Sequence, residues 1–202
     1  MEFVDKDHPI AEQFYEFDEN FQGSSKEAKR RLKEMISKDP DYMDPYLSFL
    51  EILEQEGKYV EAETVIDEAY ERTIAIIKGT TGEWPTLLEW GWFENRHLLR
   101  ALAAKGESYW KANKAAEAAD LFGRLLWLCP SDNMGIRYML LAVLDGMSSE
   151  EFDTRFTTKE GFADPSMDSW WEASYQRHRK EFEKWEFIYK AHYAEDFDWG
   201  SV

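Results

Sequence analysis

Cysteine is almost missing from this 202-residue chain: Cys129 stands alone, which excludes an intramolecular disulfide framework and a cysteine-based zinc site. No apolar run approaches the ~20 residues that a membrane-spanning helix needs. The opening Met1-Glu-Phe-Val-Asp-Lys-Asp-His8 has neither a basic nor an apolar stretch of the kind that starts a secretory signal. Positive charge is scarce. Lys and Arg number 24 against 41 Asp and Glu, a net charge of −17, which argues against non-specific binding to nucleic acid or anionic lipid. Sustained period-two alternation is absent, so essentially no sheet is expected. Nor is there a Gly-x4-Gly-Lys-Ser/Thr phosphate loop or a Gly-x-Ser-x-Gly elbow. Gly79-Thr-Thr-Gly82 lacks the lysine and the preceding strand that a phosphate cradle requires. What is present is aromatic: 16% Phe, Trp and Tyr, with nine Trp, a content foreign to disordered chains. A globular protein of one or two domains, with a cytoplasmic location, is the expectation.

The next feature is periodicity. Ala28 and Pro40 are twelve residues apart, as are Ala118 and Pro130, and Ala62 follows Ala28 by 34 residues, a helical-repeat pitch. The register gives repeats over about 9–42, 43–76 and 99–132, a degenerate fourth copy over 133–166, and an insert at 77–98, all within one helical-repeat domain covering 1–202. In the first copy Tyr15, Gly23, Leu32 and Pro40 fall at repeat offsets. In the second Tyr46, Phe49, Gly57, Ala62 and Ile66 do so, and in the third Gly106, Tyr109, Ala118, Phe122 and Leu125. The pattern predicts an all-α chain of eight to nine helices forming a right-handed α-α superhelix.

Local chemistry places the ends of these helices. Pro9 suits a first turn. Ser24 with Glu27 and Ser148 with Glu151 have capping-box spacing. Asp39-Pro40 and Pro130-Ser-Asp132 punctuate helix ends. The second helix of repeat two is expected over about 59–78. Pro85 is read as starting a helix that continues to about Ala112, ~40 Å long. Its Trp84, Trp90, Trp92 and Phe93 would pack either on the preceding long helix or on a partner protein. Asp164-Pro165 starts what reads as one long capping helix over 165–195, rich in Trp170, Trp171, Tyr175, Phe182, Trp185 and Tyr189.

Two segments carry a family resemblance. Trp92-Phe-Glu-Asn-Arg-His97-Leu-Leu-Arg100-Ala and Pro130-Ser-Asp-Asn-Met-Gly-Ile-Arg137-Tyr138, with the repeat between them, resemble a group of bacterial tetratricopeptide-repeat proteins. The likeness spans roughly residues 26–145. It implies an α-helical repeat fold and no catalysis, and it does not reach the C-terminal third.

Arrays of this kind present a concave groove. The groove-facing offsets are Asp44, Ser48, Glu51, Gln55, Arg100, Glu107, Trp110, Lys111, Arg137, Tyr138 and Leu141, and Arg96 lies one turn before Arg100 on the same helix face. On this reading Arg96, Arg100 and Arg137 receive an acidic group of a partner protein or peptide, with Trp110 and Tyr138 as apolar anchors. The competing reading pairs these arginines internally with Glu51, Glu94 or Glu107. The lysine and asparagine of the two-carboxylate clamp are not at Gln13 and Phe17, so that clamp is not recognisable. Glu94-x-x-His97 has the spacing of a bundle metal pair, but only one copy exists, and His8, His178 and His192 are scattered, so no metal, cofactor or catalytic residue is expected. Cys129 reads as a packing residue. Lys29-Arg30-Arg31-Lys33 is dense but flanked by acids, and nucleic-acid binding is not expected. The function inferred is that of a non-catalytic adaptor or scaffold. The alternative is a homodimer formed through the Trp-rich insert and the aromatic C-terminal helix.

Overall fold

The computed structural model describes residues 2–159 and 161–193. Among them are ten α-helices: α1 Ile10–Asn20, α2 Ser25–Lys38, α3 Asp44–Gln55, α4 Tyr59–Lys78, α5 Arg96–Lys111, α6 Ala115–Leu128, α7 Ile136–Leu144, α8 Ser149–Phe156, α9 Ser166–Tyr175 and α10 Arg179–Tyr193. No strand occurs among the described residues, only two isolated bridges, so the all-α expectation holds. No helix is long and apolar enough to cross a membrane. The chain forms two compact units, Met1–Ser108 and Tyr109–Val202.

In the first unit, helices pack on their neighbours in sequence, α1 on α2, α2 on α3 and α3 on α4. The reason lies in apolar spacing. Ile10, Phe14 and Phe17 line one face of α1, and Ala28, Leu32 and Met35 one face of α2. These meet Tyr42, Phe49, Leu53 and Ala62 in one core. Removing each large side chain of this set from water contributes about 1.5–3 kcal/mol. The second unit is built on rings. Trp110 packs edge-on to Phe122, and Phe152, Phe156 and Trp170 form a cluster beside it. Helices α9 and α10 form a hairpin that covers α7 and α6 respectively. Phe182, fully buried, touches Trp171, Tyr175 and Trp185.

The same turn closes three helices. Gly57, Asn113 and Gly146 all take positive φ, at 71°, 59° and 76°. After each, the next amide reaches back to a carbonyl in the last helical turn: Lys58 to Leu53, Lys114 to Tyr109 and Met147 to Ala142, all at 2.9 Å. This left-handed cap satisfies carbonyls that the helix leaves open. The asparagine at 113 tolerates the conformation better than most side chains.

Helix α4 runs over the expected residues, and Ser148 and Glu151 form the full reciprocal box at the start of α8. At α2 only half the box forms. Ser24 accepts from the Glu27 amide, while the Glu27 side chain turns to Arg30 and Arg31. The basic run of α2 is neutralised as expected, with Lys29 on Glu56 and Arg30 on Glu27 and Glu34.

Two expected helices are corrected. The long helix from Pro85 does not exist: residues 82–92 are non-helical and α5 begins only at Arg96, after the single 3-10 turn Phe93–Asn95. The Leu87 carbonyl, which a helix would use internally, accepts the Phe3 amide at 2.9 Å. The single C-terminal helix over 165–195 is two helices, with the break at 176–178. There Arg177 and His178 both turn to Asp145, at 2.7 and 2.8 Å, and the hairpin bend that this creates lets both aromatic faces bury. Residues 194 and 195 of that expected helix lie outside the described residues.

Candidate functional site

The first unit gathers its chemistry where the N-terminal segment meets the insert. Asn95 is fully buried and holds the two together. Its amide nitrogen donates to the Phe3 carbonyl at 2.9 Å and to the Glu89 carbonyl at 3.3 Å, and its oxygen accepts the Asp5 amide at 2.9 Å. That seats the Asp5 side chain between two imidazoles. His8 Nε2 lies 3.1 Å and His97 Nε2 3.0 Å from the same carboxylate oxygen, Oδ2. His8 Nδ1 faces Asp39 at 2.8 Å, and His97 Nδ1 accepts the Met43 amide at 3.1 Å.

These contacts fix the protons. Both nitrogens of His8 face carboxylates, so both donate and the ring is held as a cation. Burial alone would push its pKa down, but the bonds to Asp5 and Asp39 outweigh burial and raise it above the usual histidine value. Burial likewise pushes the Asp5 carboxyl up, and hydrogen bonds from His8 and His97 overcome it and hold the group well below the carboxylate range. His97 must receive the Met43 proton at Nδ1, so its own proton sits on Nε2 and points to Asp5.

No family model, no curated protein and no solved structure matches the chain. Its chemistry is therefore read from the geometry. Asp5, His8 and His97 place one ligand atom each within 4.8 Å of one another, the spacing of a metal site. The protons oppose that use. A cation needs a lone pair on each imidazole, and here His97 Nε2 carries a proton because Nδ1 is engaged by a backbone amide. Nor is His8 free to act as a base, since both its nitrogens are occupied. The adjoining cleft, lined by His8, Tyr15, Tyr42, Phe93, His97 and Arg100, has a volume of about 20 Å³, room for about one water. The network serves to lock the N-terminal segment onto α5. Sequence reading missed it because its members lie up to 92 positions apart. The one signal was the pair Asn95 and His97 within the resemblance motif.

The expected groove residues of this unit separate into buried and exposed sets. Asp44 is buried, not groove-lining, and takes a two-pronged bond from Arg100, Nε to Oδ1 at 2.9 Å and Nη2 to Oδ2 at 2.6 Å. The Tyr42 hydroxyl adds a bond to Asp44 at 2.7 Å. Burial and that carboxylate push the Tyr42 pKa well above the usual phenol value. Arg100 thus pairs internally, with Asp44 in place of the glutamates expected. Glu51 and Gln55 are exposed on α3, and Glu107 is half-buried on α5. Arg96 donates Nε to the Trp90 carbonyl at 3.0 Å, and its guanidinium lies 5.2 Å from the Trp90 ring centroid and 5.3 Å from that of Phe93. Trp92 and Phe93 remain 47% and 53% exposed. Of the insert's rings, Trp84 meets the preceding long helix as one expectation had it, with Lys78 Nζ of α4 4.8 Å from its centroid, while the others rest on the N-terminal segment, arginines and Tyr15, with Trp92 Nε1 bonded to Glu2 at 2.6 Å and Phe93 5.8 Å from Tyr15.

In the second unit Lys111 is exposed, but both expected anchors are core residues. Trp110 is 6% exposed, and its indole donates to the Met147 carbonyl at 2.8 Å. Tyr138, 8% exposed, packs on Trp171 and donates its hydroxyl to Asp168. An amphipathic ring at a groove offset serves the interior here, because α8 and α9 bring Phe152 and Trp171 against it. Arg137 donates to Asp132 at 2.8 Å and lies over the Tyr138 ring. Asp132 also caps α7 through the Ile136 amide at 2.6 Å. Burial pushes its carboxyl up to about 6 against the pull of Arg137.

The His8 network predicts a pH dependence of defined sign. A histidine whose folded pKa lies above its unfolded one adds stability that is complete below about pH 6.5 and lost as pH rises through the folded value. Urea unfolding across that range should therefore show stability falling with rising pH, and His8→Gln should flatten the slope. An unchanged slope in the variant would show that His8 is not held as a cation.

Proposed function

We propose that the chain is a non-catalytic adaptor of the tetratricopeptide-like helical-repeat kind, binding a protein or peptide partner on the exposed rings of its first unit. The carrying observation is that Trp92 and Phe93 stand half in water, Phe93 beside Tyr15, while the Arg96 guanidinium lies over the Phe93 and Trp90 rings. Large rings fixed in place and left uncovered supply binding energy with little ordering cost, which is how binding hot spots are built. The recurring left-handed turn at Gly57, Asn113 and Gly146 supports a repeat architecture. The repeat register, the two resemblance motifs and the absence of any sequence signature for bond-making agree with it. Of the three arginines expected to receive an acidic group, Arg100 and Arg137 are engaged by Asp44 and Asp132, and Arg96 by the Trp90 carbonyl and the Trp90 and Phe93 rings, so an acidic group on the partner is not part of this proposal.

The test is a Trp92→Ala, Phe93→Ala double variant. Circular dichroism should show it folded, with its melting temperature lowered only by the lost contacts to Glu2, Tyr15 and Arg96, while a protein that co-purifies with the parent should be lost. Retention of every co-purifying protein by a folded double variant would remove the reading. Self-association is the second reading, favoured by Phe187 on α10 at 74% exposure. Light scattering at two concentrations decides it: a mass that rises with concentration and falls back in Phe187→Ser would establish a dimer.

A further inference from the structure

Helix α1 has two faces, and only one is covered. Ile10, Phe14 and Phe17 enter the core. The other face runs through Ala11, Glu12, Tyr15, Glu16 and Glu19, and with Phe93 leaning over it forms an open groove of about 560 Å³. The groove floor is apolar, with the Tyr15 and Phe93 rings 5.8 Å apart. Its walls are acidic: Asp7, Glu12, Glu16 and Glu19 are exposed, and none of them takes part in an ion pair among the described residues. Arg96 lies against Phe93, 5.3 Å from its ring centroid, with its Nε given to the Trp90 carbonyl, and His8, which also lines the groove, is spent on Asp5 and Asp39.

We infer that this groove docks a basic, amphipathic segment of a partner protein, with an apolar side chain on Tyr15 and Phe93 and lysines or arginines facing Glu12, Glu16 and Glu19. The inference rests on the adaptor reading and gives the partner's chemistry. Charge complementarity selects the occupant. Four carboxylates without counter-cations on a chain of net charge −17 attract a cationic segment and repel an anionic one. A second copy of this chain fits poorly, because it carries the same net charge, its basic run on α2 is held by Glu27, Glu34 and Glu56, and in the run Arg177-His-Arg-Lys180 the first two residues are held by Asp145. The chain's own C-terminal sequence, Ala194-Glu-Asp-Phe-Asp-Trp-Gly-Ser-Val202, is acidic and fits no better.

The probe is a pair of short fluorescent peptides with the same leucines, one with lysine and one with glutamate at the polar positions, titrated with the full chain. The lysine peptide should bind, should weaken as salt rises, and should lose at least about tenfold in affinity both in Phe93→Ala and in the triple variant Glu12→Lys, Glu16→Lys, Glu19→Lys. A control triple on α4, Glu61→Lys, Glu63→Lys, Glu71→Lys, changes net charge by the same amount away from the groove and should keep most of the affinity. Equal losses in the two triples would overturn the inference in favour of diffuse attraction, as would binding of the glutamate peptide or indifference to Phe93→Ala. A dimer seen by light scattering and abolished by Phe93→Ala would overturn it in favour of a second copy. Loss of the co-purifying protein in Trp92→Ala, Phe93→Ala with no effect of the α1 triple would leave the adaptor reading standing and remove this one. Circular dichroism melts of each variant establish that the losses are not unfolding.

Discussion

Replacing Arg100 with methionine should destabilise the first unit by about 3–5 kcal/mol, the cost of leaving a buried charge without its partner. The variant keeps most of the aliphatic stem but removes both prongs of the bond to Asp44, whose side chain is 5% exposed. Only the Tyr42 hydroxyl at 2.7 Å and Tyr15 at 3.5 Å would then face that carboxylate. A second substitution, Asp44→Leu, should return much of the loss, because a pair of apolar residues avoids the desolvation that the ion pair carries. Urea unfolding of the two variants measures both numbers. A single variant as stable as the parent would show that Arg100 is free to serve a partner after all. This expectation also governs how binding is tested. Loss of a partner in an Arg100 variant would report unfolding, so the informative substitutions are at the exposed rings.

The second large effect is in the other unit. Phe182→Ala should cost about 3–5 kcal/mol, the range for deleting a buried ring. Phe182 has no exposed surface and sits among Trp171, Tyr175 and Trp185, the contacts that close α9 on α10. The loss should appear first in the second unit. Hydrogen exchange would read it as faster exchange in α9 and α10, with the amides of α2 and α3 still protected. Uniform acceleration along the chain would show that the two units unfold as one. Trp185 gives an independent probe, since its indole donates to the Pro130 carbonyl at 2.9 Å and its fluorescence should shift as the hairpin opens.

Helix α4 was legible because Ala62, Ile66 and Ala69 keep one face for the core and Gly57 marks the turn before it. The start of α8 was legible because Ser148 and Glu151 satisfy each other's backbone within four residues. The insert was not. Pro85-Thr-Leu-Leu-Glu-Trp90 has helix-like spacing, but Leu87 is bonded to Phe3, a partner that no local pattern announces. The break at 176–178 was hidden for the same reason, since Asp145, which draws Arg177 and His178, lies on the far side of two helices in sequence.

The candidate site divides along the same line. Arg100 and Arg137 were expected either to face a partner or to pair with Glu51, Glu94 or Glu107; in the fold they pair with Asp44 and Asp132, which helix spacing does not announce. Trp110 and Tyr138 fell at groove offsets, and the fold used them as core because neighbouring rings reached them first.

By itself the sequence determined local features such as the span of α4, the cap at Ser148 and the turn at Gly57, because capping, apolar period and left-handed residues act over four or five positions. Which side chains would be buried together, which cations would be neutralised and which rings would be left in water was decided by the tertiary structure. Those outcomes depend on contacts such as Asp5 with His97, made between residues that are neighbours only after the chain has folded.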